Sequence, residues 1–301
     1  MYGAQDPLQL LDIHVISVAQ RSVHIKADGA DARNLQGHEE LPVLDIRFMI
    51  RIVLHFPYNT DMATWITHLR IAENLLSQLP DLEPARCAVG NIAPDSGIPD
   101  EKWEKFTPPT EVTHFSKSPD AFGEIADLEF YRHYLLPLRG GEDPGLISFR
   151  IGYFFHLITD NLWSEKIGVP TAQRFSAAFA MDKDFIWKVK KDWYGLDFIY
   201  VRDHPNCLFW RVFLDAQPES GELDFLPLES VRQRVAYIQQ YYQRTDEDVQ
   251  KAYNRSYDYL SGPEMDRFVD ESTWQLSRIY QQLWINGAVT DGFVSALDLS
   301  I

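Results

Sequence analysis

Two polar side chains interrupt an otherwise apolar stretch near the middle of the chain. His156 and Asp160 both lie in residues 147–163, ISFRIGYFFHLITDNLW. A separation of four residues puts both side chains on one face of a helix. Burial of an imidazole and a carboxylate without partners is costly. A shared metal ion or a simple His–Asp hydrogen bond would each satisfy them, and this segment alone leaves both interpretations open.

Three further residues could contribute to a metal site, although each also has an ordinary structural interpretation. Asp95 in GNIAPDSGIP fits an Asx-turn, His114 in VTHFS fits a structural or exposed histidine, and His68 in ITHLRIA fits a core or capping histidine. Taken together with His156 and Asp160, they form a set of nitrogen and oxygen donors that suits Zn²⁺ without thiolates. The set therefore favours metal binding more than any member does.

The order of these residues resembles that of the zinc-dependent phospholipase C family, whose all-α fold is shared with a group of single-strand nucleases. The resemblance covers about residues 65–165 and rests on four segments: THLRIAENLLSQLP, NIAPDSG, THF and GYFFHLITD. The last segment is the most specific, because it carries the pattern G-Y-x-x-H-x-x-x-D. The resemblance implies a multi-helix, phospholipase C/nuclease-like domain with long loops.

The resemblance also implies roles for the five residues. Asp95, His114, His156 and Asp160 would bind one zinc ion, and His68 would help to hold a second ion that Asp160 bridges. Bound Zn²⁺ lowers the pKa of its water to about 7, which provides hydroxide at neutral pH. The implied reaction is attack of this zinc-bound hydroxide on a phosphodiester or a phospholipid-like substrate. Asp95 would also act as a catalytic residue by orienting the attacking water.

The chain departs from the family pattern after Asp160. His204 is the only later histidine, and no His-x-x-x-Glu segment follows. Asp192 and Asp197 are possible oxygen ligands, but a solvated helix face is the simpler interpretation of both. The family also uses a free N-terminal amino group, whereas 61 residues precede Met62 here. We therefore expect one or two zinc ions, with the third family site absent.

The elements that must position these residues are predicted to be helical. Apolar residues repeat at intervals of three and four from Met62 onwards, with Thr64 or Thr67 as a cap for the first helix. Residues 81–119 are proline-rich and are predicted to be mostly loop, and Asp143–Pro144 suits the start of a long helix. The predicted helices span residues 62–79, 120–138, 146–165, 171–180, 182–200, 228–243, 245–261 and 264–285.

The first 61 residues differ in composition from the rest. All the tryptophans lie at position 65 or later, and residues 42–56 alternate in a manner typical of a strand. We predict a helical, phospholipase C-like domain over 62–301, preceded by an N-terminal extension over 1–61. The natural start is expected at Met62, or else the extension is expected to be dispensable.

Composition excludes some functional classes. The chain of 301 residues carries a formal charge of −16, which argues against a protein that coats nucleic acid. No apolar run approaches the roughly 20 residues needed to span a bilayer. Cys87 and Cys207 form neither a disulfide framework nor a CxxC site, so two reduced thiols in a cytoplasmic protein are expected. The sequence does not specify an oligomeric state.

Three functions are compatible with these patterns. The first is a zinc-dependent phosphoesterase acting on a small-molecule or lipid phosphoester. The second is a non-catalytic, metal-binding helical protein, which the missing downstream ligands favour. The third is a metal-free interaction protein that binds partners through acidic, aromatic-rich helices such as residues 264–285.

Overall fold

The fold is built almost entirely from helices. It was determined as a computed structural model, which describes residues 62–101, 105–116, 124–141, 143–219 and 222–299. The predicted extension over residues 1–61 and the predicted strand over residues 42–56 lie outside this part. Within it the only sheet has two short antiparallel strands, with Ile98 opposite Thr107 and Pro99 opposite Phe106. The predicted all-α class is therefore confirmed.

The helices of the first half surround the predicted site residues. They are α1 (Trp65–Leu76), α2 (Pro84–Gly90), α3 (Thr110–Thr113), α4 (Asp127–Phe130) and α5 (Pro144–Trp163). A short 3₁₀ helix, Ala93–Asp95, follows α2, and the strands are β1 (Ile98–Pro99) and β2 (Phe106–Thr107). After α4 the chain continues through a π-helical turn, Tyr131–Leu135, and a 3₁₀ turn, Leu136–Leu138.

The helices of the second half follow α5 along the chain, and the last of them, α12, packs against it. They are α6 (Val169–Arg174), α7 (Ser176–Met181), α8 (Phe185–Asp203), α9 (Leu208–Arg211), α10 (Leu228–Tyr241), α11 (Glu247–Tyr253) and α12 (Gly262–Tyr280). The π-helical turns Ser164–Gly168 and Gln281–Ile285 extend α5 and α12. The 3₁₀ turns Phe213–Asp215 and Ala296–Asp298 lie in the connections.

Three predicted segments differ from the structure. In the predicted helix over 120–138, residues 124–126 are not helical, since Ile125 forms a bridge with Ser116, and the helix begins at Asp127. Residues 81–119 contain helix α2, which the proline content concealed because Pro84 occupies the first turn, where no backbone N–H is needed. The predicted helix over 245–261 ends at Tyr253. Beyond it the Asp192 carboxylate accepts hydrogen bonds from the backbone N–H groups of Tyr259 and Leu260. These bonds fix a non-helical backbone in place of further helix.

Helix α5 is the centre of the fold. It begins as predicted, with the Asp143 carboxylate accepting a hydrogen bond from Leu146 N at 2.9 Å and Pro144 in the first turn. Nearly every residue from Ser148 onwards is buried, because α1, α2, α4 and α12 all pack against it. An apolar helix that is covered on all sides is the ordinary basis of such a core. Any charged group on α5 must therefore find its partners inside the protein.

Among the described residues, no helix combines the length and the apolar character that crossing a membrane requires. Both cysteines are unpaired and buried. Burial raises the pKa of Cys87 to about 12, so this thiol stays protonated in the core.

Helices α2 and α5 approach closely because glycine lies at their crossing. A Cβ atom added at Gly152 would overlap the carbonyl oxygen of Cys87 and lie 2.9 Å from Asn91 N. A Cβ atom added at Gly90 would overlap the carbonyl oxygen of Phe149. Both obstacles are backbone atoms that cannot rotate away, so the crossing requires glycine on each helix.

We expect Gly152→Ala to lower the free energy of unfolding by about 1–3 kcal/mol or more, since it forces two backbones apart in a packed core. The matched control is Gly262→Ala in the first turn of α12, where the nearest atom would lie 3.9 Å away. Urea denaturation of the two variants measures the difference. Equal stabilities would contradict the packing described for the α2–α5 crossing.

Candidate metal centre

The five residues predicted as ligands converge, although up to 92 positions separate them. His68 lies on α1, Asp95 at the end of the 3₁₀ helix after α2, His114 directly after α3, and His156 with Asp160 on α5. Two groups of three have potential ligand atoms within 4.8 Å of one another: His68, His156 and Asp160, and Asp95, His114 and His156. His156 belongs to both groups, so they form one cluster.

Three donor atoms of the cluster lie at the mutual spacing of zinc ligands, and a fourth, Asp95 Oδ1, lies at the same spacing from one of them. His156 Nε2 lies 3.1 Å from Asp160 Oδ2 and 3.3 Å from His114 Nε2. His114 Nε2 lies 3.6 Å from Asp160 Oδ2 and 3.4 Å from Asp95 Oδ1. Tetrahedral ligands about 2.0–2.1 Å from a zinc ion lie roughly 3.3 Å from one another. These four separations fit that arrangement.

Hydrogen bonds to backbone carbonyl groups orient the two imidazoles that supply donor atoms to this set. His156 Nδ1 lies 2.8 Å from Asn91 O, and His114 Nδ1 lies 3.3 Å from Thr110 O. A carbonyl oxygen only accepts, so Nδ1 carries the proton in His156, and Nε2 of the neutral ring then presents a lone pair to the cluster. His114 Nδ1 also lies 3.0 Å from Thr113 Oγ1, a hydroxyl group that can donate or accept. The tautomer of His156, fixed by a carbonyl group, is typical of a metal-binding histidine.

His68 lies beside the first set of donor atoms and, with Asp160, forms a second candidate metal position. Its ring stacks on that of His156, with centroids 3.9 Å apart and planes 3° apart. His68 Nε2 lies 3.2 Å from Asp160 Oδ1, and that oxygen also accepts a hydrogen bond from Ala63 N at 2.9 Å. Neither ring nitrogen of His68 has a properly oriented hydrogen-bond partner, and neither has Asp160 Oδ2. Unsatisfied buried atoms of this kind require an explanation.

The charges of the cluster also favour a bound cation. Burial opposes ionisation of Asp160, but His156 and His68 hold the pKa of its carboxyl far below the usual range. Burial likewise opposes ionisation of Asp95, but the hydrogen bond with His114 and the charges of His156 and His114 lower its pKa to about 2. Both carboxylates, that of the fully buried Asp160 and that of the 13% exposed Asp95, are therefore ionised at neutral pH. A buried charge needs a counter-charge, which a metal ion or protonated histidines would provide.

The pKa values of His68 and His156 shift in opposite directions. Burial and the neighbouring His156 lower the pKa of His68. Burial also disfavours the charged form of His156, but Asp160 outweighs it and raises the pKa. The two stacked rings therefore do not share one protonation behaviour, although they face the same carboxylate.

Several contacts hold the ligand-bearing segments together without any ion. Trp65 Nε1 donates to Asp95 Oδ2 at 2.8 Å, and Tyr153 OH donates to Thr113 O at 2.5 Å. The first bond ties α1 to the loop of Asp95, and the second ties α5 to the turn of His114. Phe115, directly after His114, has a φ of 53°, an uncommon conformation for a bulky residue. The cluster is thus fixed by the protein itself.

The other acidic and histidine candidates lie elsewhere. His204 is exposed and bonds to Tyr200 O, outside the cluster. Asp192 and Asp197 are buried, so the interpretation of both as part of a solvated helix face is wrong. Asp192 pairs with Arg255 at 2.9 Å besides its backbone bonds. Neither aspartate belongs to the groups of potential ligands in the described part of the chain.

Asp197 instead supports the start of α1. Thr64 Oγ1 donates to Asp197 Oδ1 at 2.7 Å, and Tyr242 OH donates to Asp197 Oδ2 at 2.5 Å. Thr64 occupies the predicted cap position, but its hydroxyl group does not cap a backbone N–H of the helix and instead shares a hydrogen bond of 2.8 Å with the hydroxyl group of Thr67. The neighbouring residue, Ala63, is the one that donates to Asp160. Asp197 therefore helps to position the backbone beside the cluster.

Sequence reasoning missed the residues that support the cluster through backbone atoms or packing. The carbonyl groups of Asn91 and Thr110 leave no side-chain signature. Trp65 could have been found, because it precedes His68 by three positions and so shares a helix face with it. Of the aromatic residues near the ligands, Tyr153 and Trp163 belong to the fully buried core.

Comparisons with family models, with curated proteins and with solved structures give no match for this chain. The geometry of the cluster and the residue pattern that predicted it are therefore the grounds on which a function can be proposed.

Asp197 provides a test of this arrangement through pH. Burial raises its pKa to about 7, despite the hydrogen bonds from Tyr242 and Thr64. Because the folded pKa lies above the unfolded value, this group's stabilising contribution is full below about pH 4 and is lost as the pH rises through about 7. Between pH 5 and pH 8 the loss from this group should be about 2–3 kcal/mol, since one pKa unit corresponds to about 1.4 kcal/mol.

We expect Asp197→Asn to remove that part of the pH dependence, measured as the free energy of unfolding at pH 5 and pH 8. The side-chain amide of asparagine still offers an oxygen atom that can accept the hydrogen bond from Thr64 Oγ1. The control is Asp203→Asn at the exposed end of the same helix, where the hydrogen bond from Arg202 lowers the pKa of the carboxyl. The free energy of unfolding of Asp203→Asn should change between pH 5 and pH 8 as it does in the unmodified protein. Parallel profiles for all three proteins would refute the role given to Asp197.

Proposed function

We propose that this protein is a metal-dependent phosphoesterase, with zinc as the metal. The observation that carries the proposal is the set of four donor atoms from Asp95, His114, His156 and Asp160. The four separations of 3.1–3.6 Å among them suit zinc ligands, and the hydrogen bond from His156 Nδ1 to Asn91 O leaves Nε2 of that ring free to bind a metal ion. The order of the same residues resembles that of the zinc-dependent phospholipase C family. Geometry and sequence pattern thus support the same assignment.

The residues present fit one metal ion fully and a second in part. Asp95, His114, His156 and Asp160 Oδ2 would hold the first ion. His68 and Asp160 Oδ1 would contribute to a second, with Asp160 bridging the two. In the fully buried His68, Nδ1 has no hydrogen-bond partner and Nε2 faces Asp160 Oδ1 at 3.2 Å, which supports a ligand role for this residue. In the described part of the chain no further histidine lies near the cluster, which is consistent with one or two ions.

Zinc in such a site supplies a water molecule with a pKa near 7 and neutralises phosphoryl oxygens. The protein's own residues determine where a substrate can approach. Asp95 is 13% exposed at its side chain, whereas His68, His156 and Asp160 are fully buried. Substrate and water would therefore enter beside Asp95.

Asp95 is suited to orient an attacking water rather than to accept its proton outright. With a pKa of about 2 the carboxylate is a weak base at neutral pH. Its Oδ2 is already held by Trp65 Nε1, so the carboxylate has a fixed direction. A fixed acceptor at the open side of the cluster can align a water molecule with the phosphorus atom. The substrate class that fits is a phosphodiester or a similar phosphoester.

One observation favours the alternative of a non-catalytic, metal-binding helical protein. Three of the five residues have no exposed surface, as is common for a structural metal site. A structural site is closed, whereas a catalytic site keeps a position for water or substrate. The partial exposure of Asp95 is the feature that favours catalysis over this alternative.

The experiment compares His156→Ala with His204→Ala, the same change at an exposed histidine outside the cluster. Metal content is measured by mass spectrometry, and turnover is measured with an anionic chromogenic phosphodiester, before and after treatment with a chelator. We expect His156→Ala to lose bound zinc and to reduce kcat/KM by about 100-fold or more, since removing one metal ligand or its support typically costs at least 10–100-fold. The His204→Ala variant should retain both the bound zinc and the kcat/KM of the unmodified protein.

The outcomes separate the alternatives. Zinc bound through His156 without turnover of any phosphoester would favour the non-catalytic metal protein. Absence of zinc in the unmodified protein, together with full stability of His156→Ala, would leave a buried His–Asp network and refute the metal site. Turnover that resists the chelator would refute the proposed mechanism.

A further inference from the structure

One arginine beside the Asp95 loop has no acidic partner among the described residues. Arg234 is half-buried on α10, and no carboxylate group of the described residues forms an ion pair with it. Its guanidinium group makes one hydrogen bond there, from Nη2 to Gly97 O at 3.2 Å. Its Nε is buried and has no partner. A buried donor without an acceptor is costly, so a ligand that completes it would bind favourably.

Arg234 is held in position by aromatic rings. The guanidinium carbon lies 5.5 Å from the ring centroid of Trp65 and 5.9 Å from that of Tyr237. Such contacts stabilise a cation without using its N–H groups. Tyr237 and Tyr241, on the same helix, also contact the Trp65 ring, at 5.8 and 6.0 Å. The arginine is therefore attached to a rigid aromatic wall.

This wall borders Asp95, the most exposed of the five residues of the cluster. The Trp65 indole contacts Arg234 with its ring and donates its N–H to Asp95 Oδ2 at 2.8 Å. Gly97, which accepts from Arg234, follows Asp95 by two residues. Arg234 and the metal-binding carboxylate thus share the same indole and the same loop.

We infer that Arg234 is the residue that binds the anionic oxygen of the substrate phosphate, an inference that rests on the proposed function. Guanidinium groups bind phosphate through two parallel, charge-assisted hydrogen bonds. In a chain with a formal charge of −16, an arginine without an acidic partner beside the cluster offers an anion a local positive charge. The preferred substrate is therefore a phosphoester that carries a negative charge at phosphorus, rather than a neutral ester.

The test compares Arg234→Met with Arg232→Met in the purified protein with its metal. Methionine removes the charge while keeping an unbranched, apolar side chain against Trp65. Arg232 is exposed two positions earlier on the same helix, so its replacement makes the same change in net charge. Binding of inorganic phosphate is measured by calorimetry. Hydrolysis is measured with bis(para-nitrophenyl) phosphate, which is anionic, and with an uncharged aryl phosphotriester that has the same leaving group.

We expect Arg234→Met to weaken phosphate binding by about 10- to 100-fold, the range for hydrogen bonds to a charged group. KM for the anionic diester should rise by a similar factor, while kcat/KM for the neutral triester stays unchanged. Arg232→Met should behave like the unmodified protein. Unchanged phosphate affinity in Arg234→Met, an equal loss in both variants, or no binding of phosphate by the unmodified protein would overturn the inference.

Two further comparisons show whether Arg234 binds phosphate even if Arg234→Met does not fold, and whether binding and hydrolysis depend on it separately. If Arg234→Met does not fold, Arg234→Lys is compared with Arg232→Lys, since lysine retains the charge but not the two-pronged geometry. Weaker phosphate binding in Arg234→Lys alone supports the inference, and equal affinities refute it. Hydrolysis that is independent of Arg234 would refute the inference and leave the proposed function intact. Phosphate binding that depends on Arg234, without hydrolysis of either substrate, would support the inference and refute the proposed function.

Discussion

The buried carboxylate of Asp160 is the constraint on which the rest of the structure depends. It has no exposed surface, it is ionised, and it faces the Nε2 atoms of His68 and His156 at 3.2 and 3.1 Å. Such a group cannot lie in an apolar core without several partners. The start of α1, the loop of Asp95 and the turn of His114 must all come close to the middle of α5. The glycine crossing of α2 and α5 makes that approach possible.

The protein holds this arrangement through contacts that do not involve the donor atoms facing inwards. Asn91 O fixes His156 from behind, and Trp65 fixes the outer oxygen of Asp95. Asp197 fixes Thr64 beside the backbone N–H that reaches Asp160. Each of these hydrogen bonds is made to an atom of a potential ligand residue, or of its neighbour, that faces away from the centre of the cluster. The inward atoms are thereby left free while their positions stay fixed, as a preorganised metal site requires.

Part of this could be predicted from the sequence. The all-α class, the long central helix with its Asp143–Pro144 start, and the five converging residues followed from apolar periodicity and from ligand order. The burial of Asp192 and Asp197 could not, because it arises from helices that lie up to about 130 positions away along the chain. Helix α2 was hidden because a proline in a first turn has the same appearance in sequence as a proline in a loop. Arg234 was missed because its significance lies in a partner that it lacks.

The accessibility of the cluster is one-sided, and this decides how its chemistry can be used. A site closed on all sides would serve stability alone, whereas Asp95 keeps some contact with solvent and borders a wall of Trp65, Tyr237 and Arg234. The net charge of the chain repels anions at long range, yet the local group beside the opening is a cation. Long-range repulsion is screened within about 10 Å at ordinary ionic strength, whereas a guanidinium group at contact distance is not. Recognition of an anionic phosphoester at this opening is therefore compatible with an acidic protein, because selection occurs at contact distance.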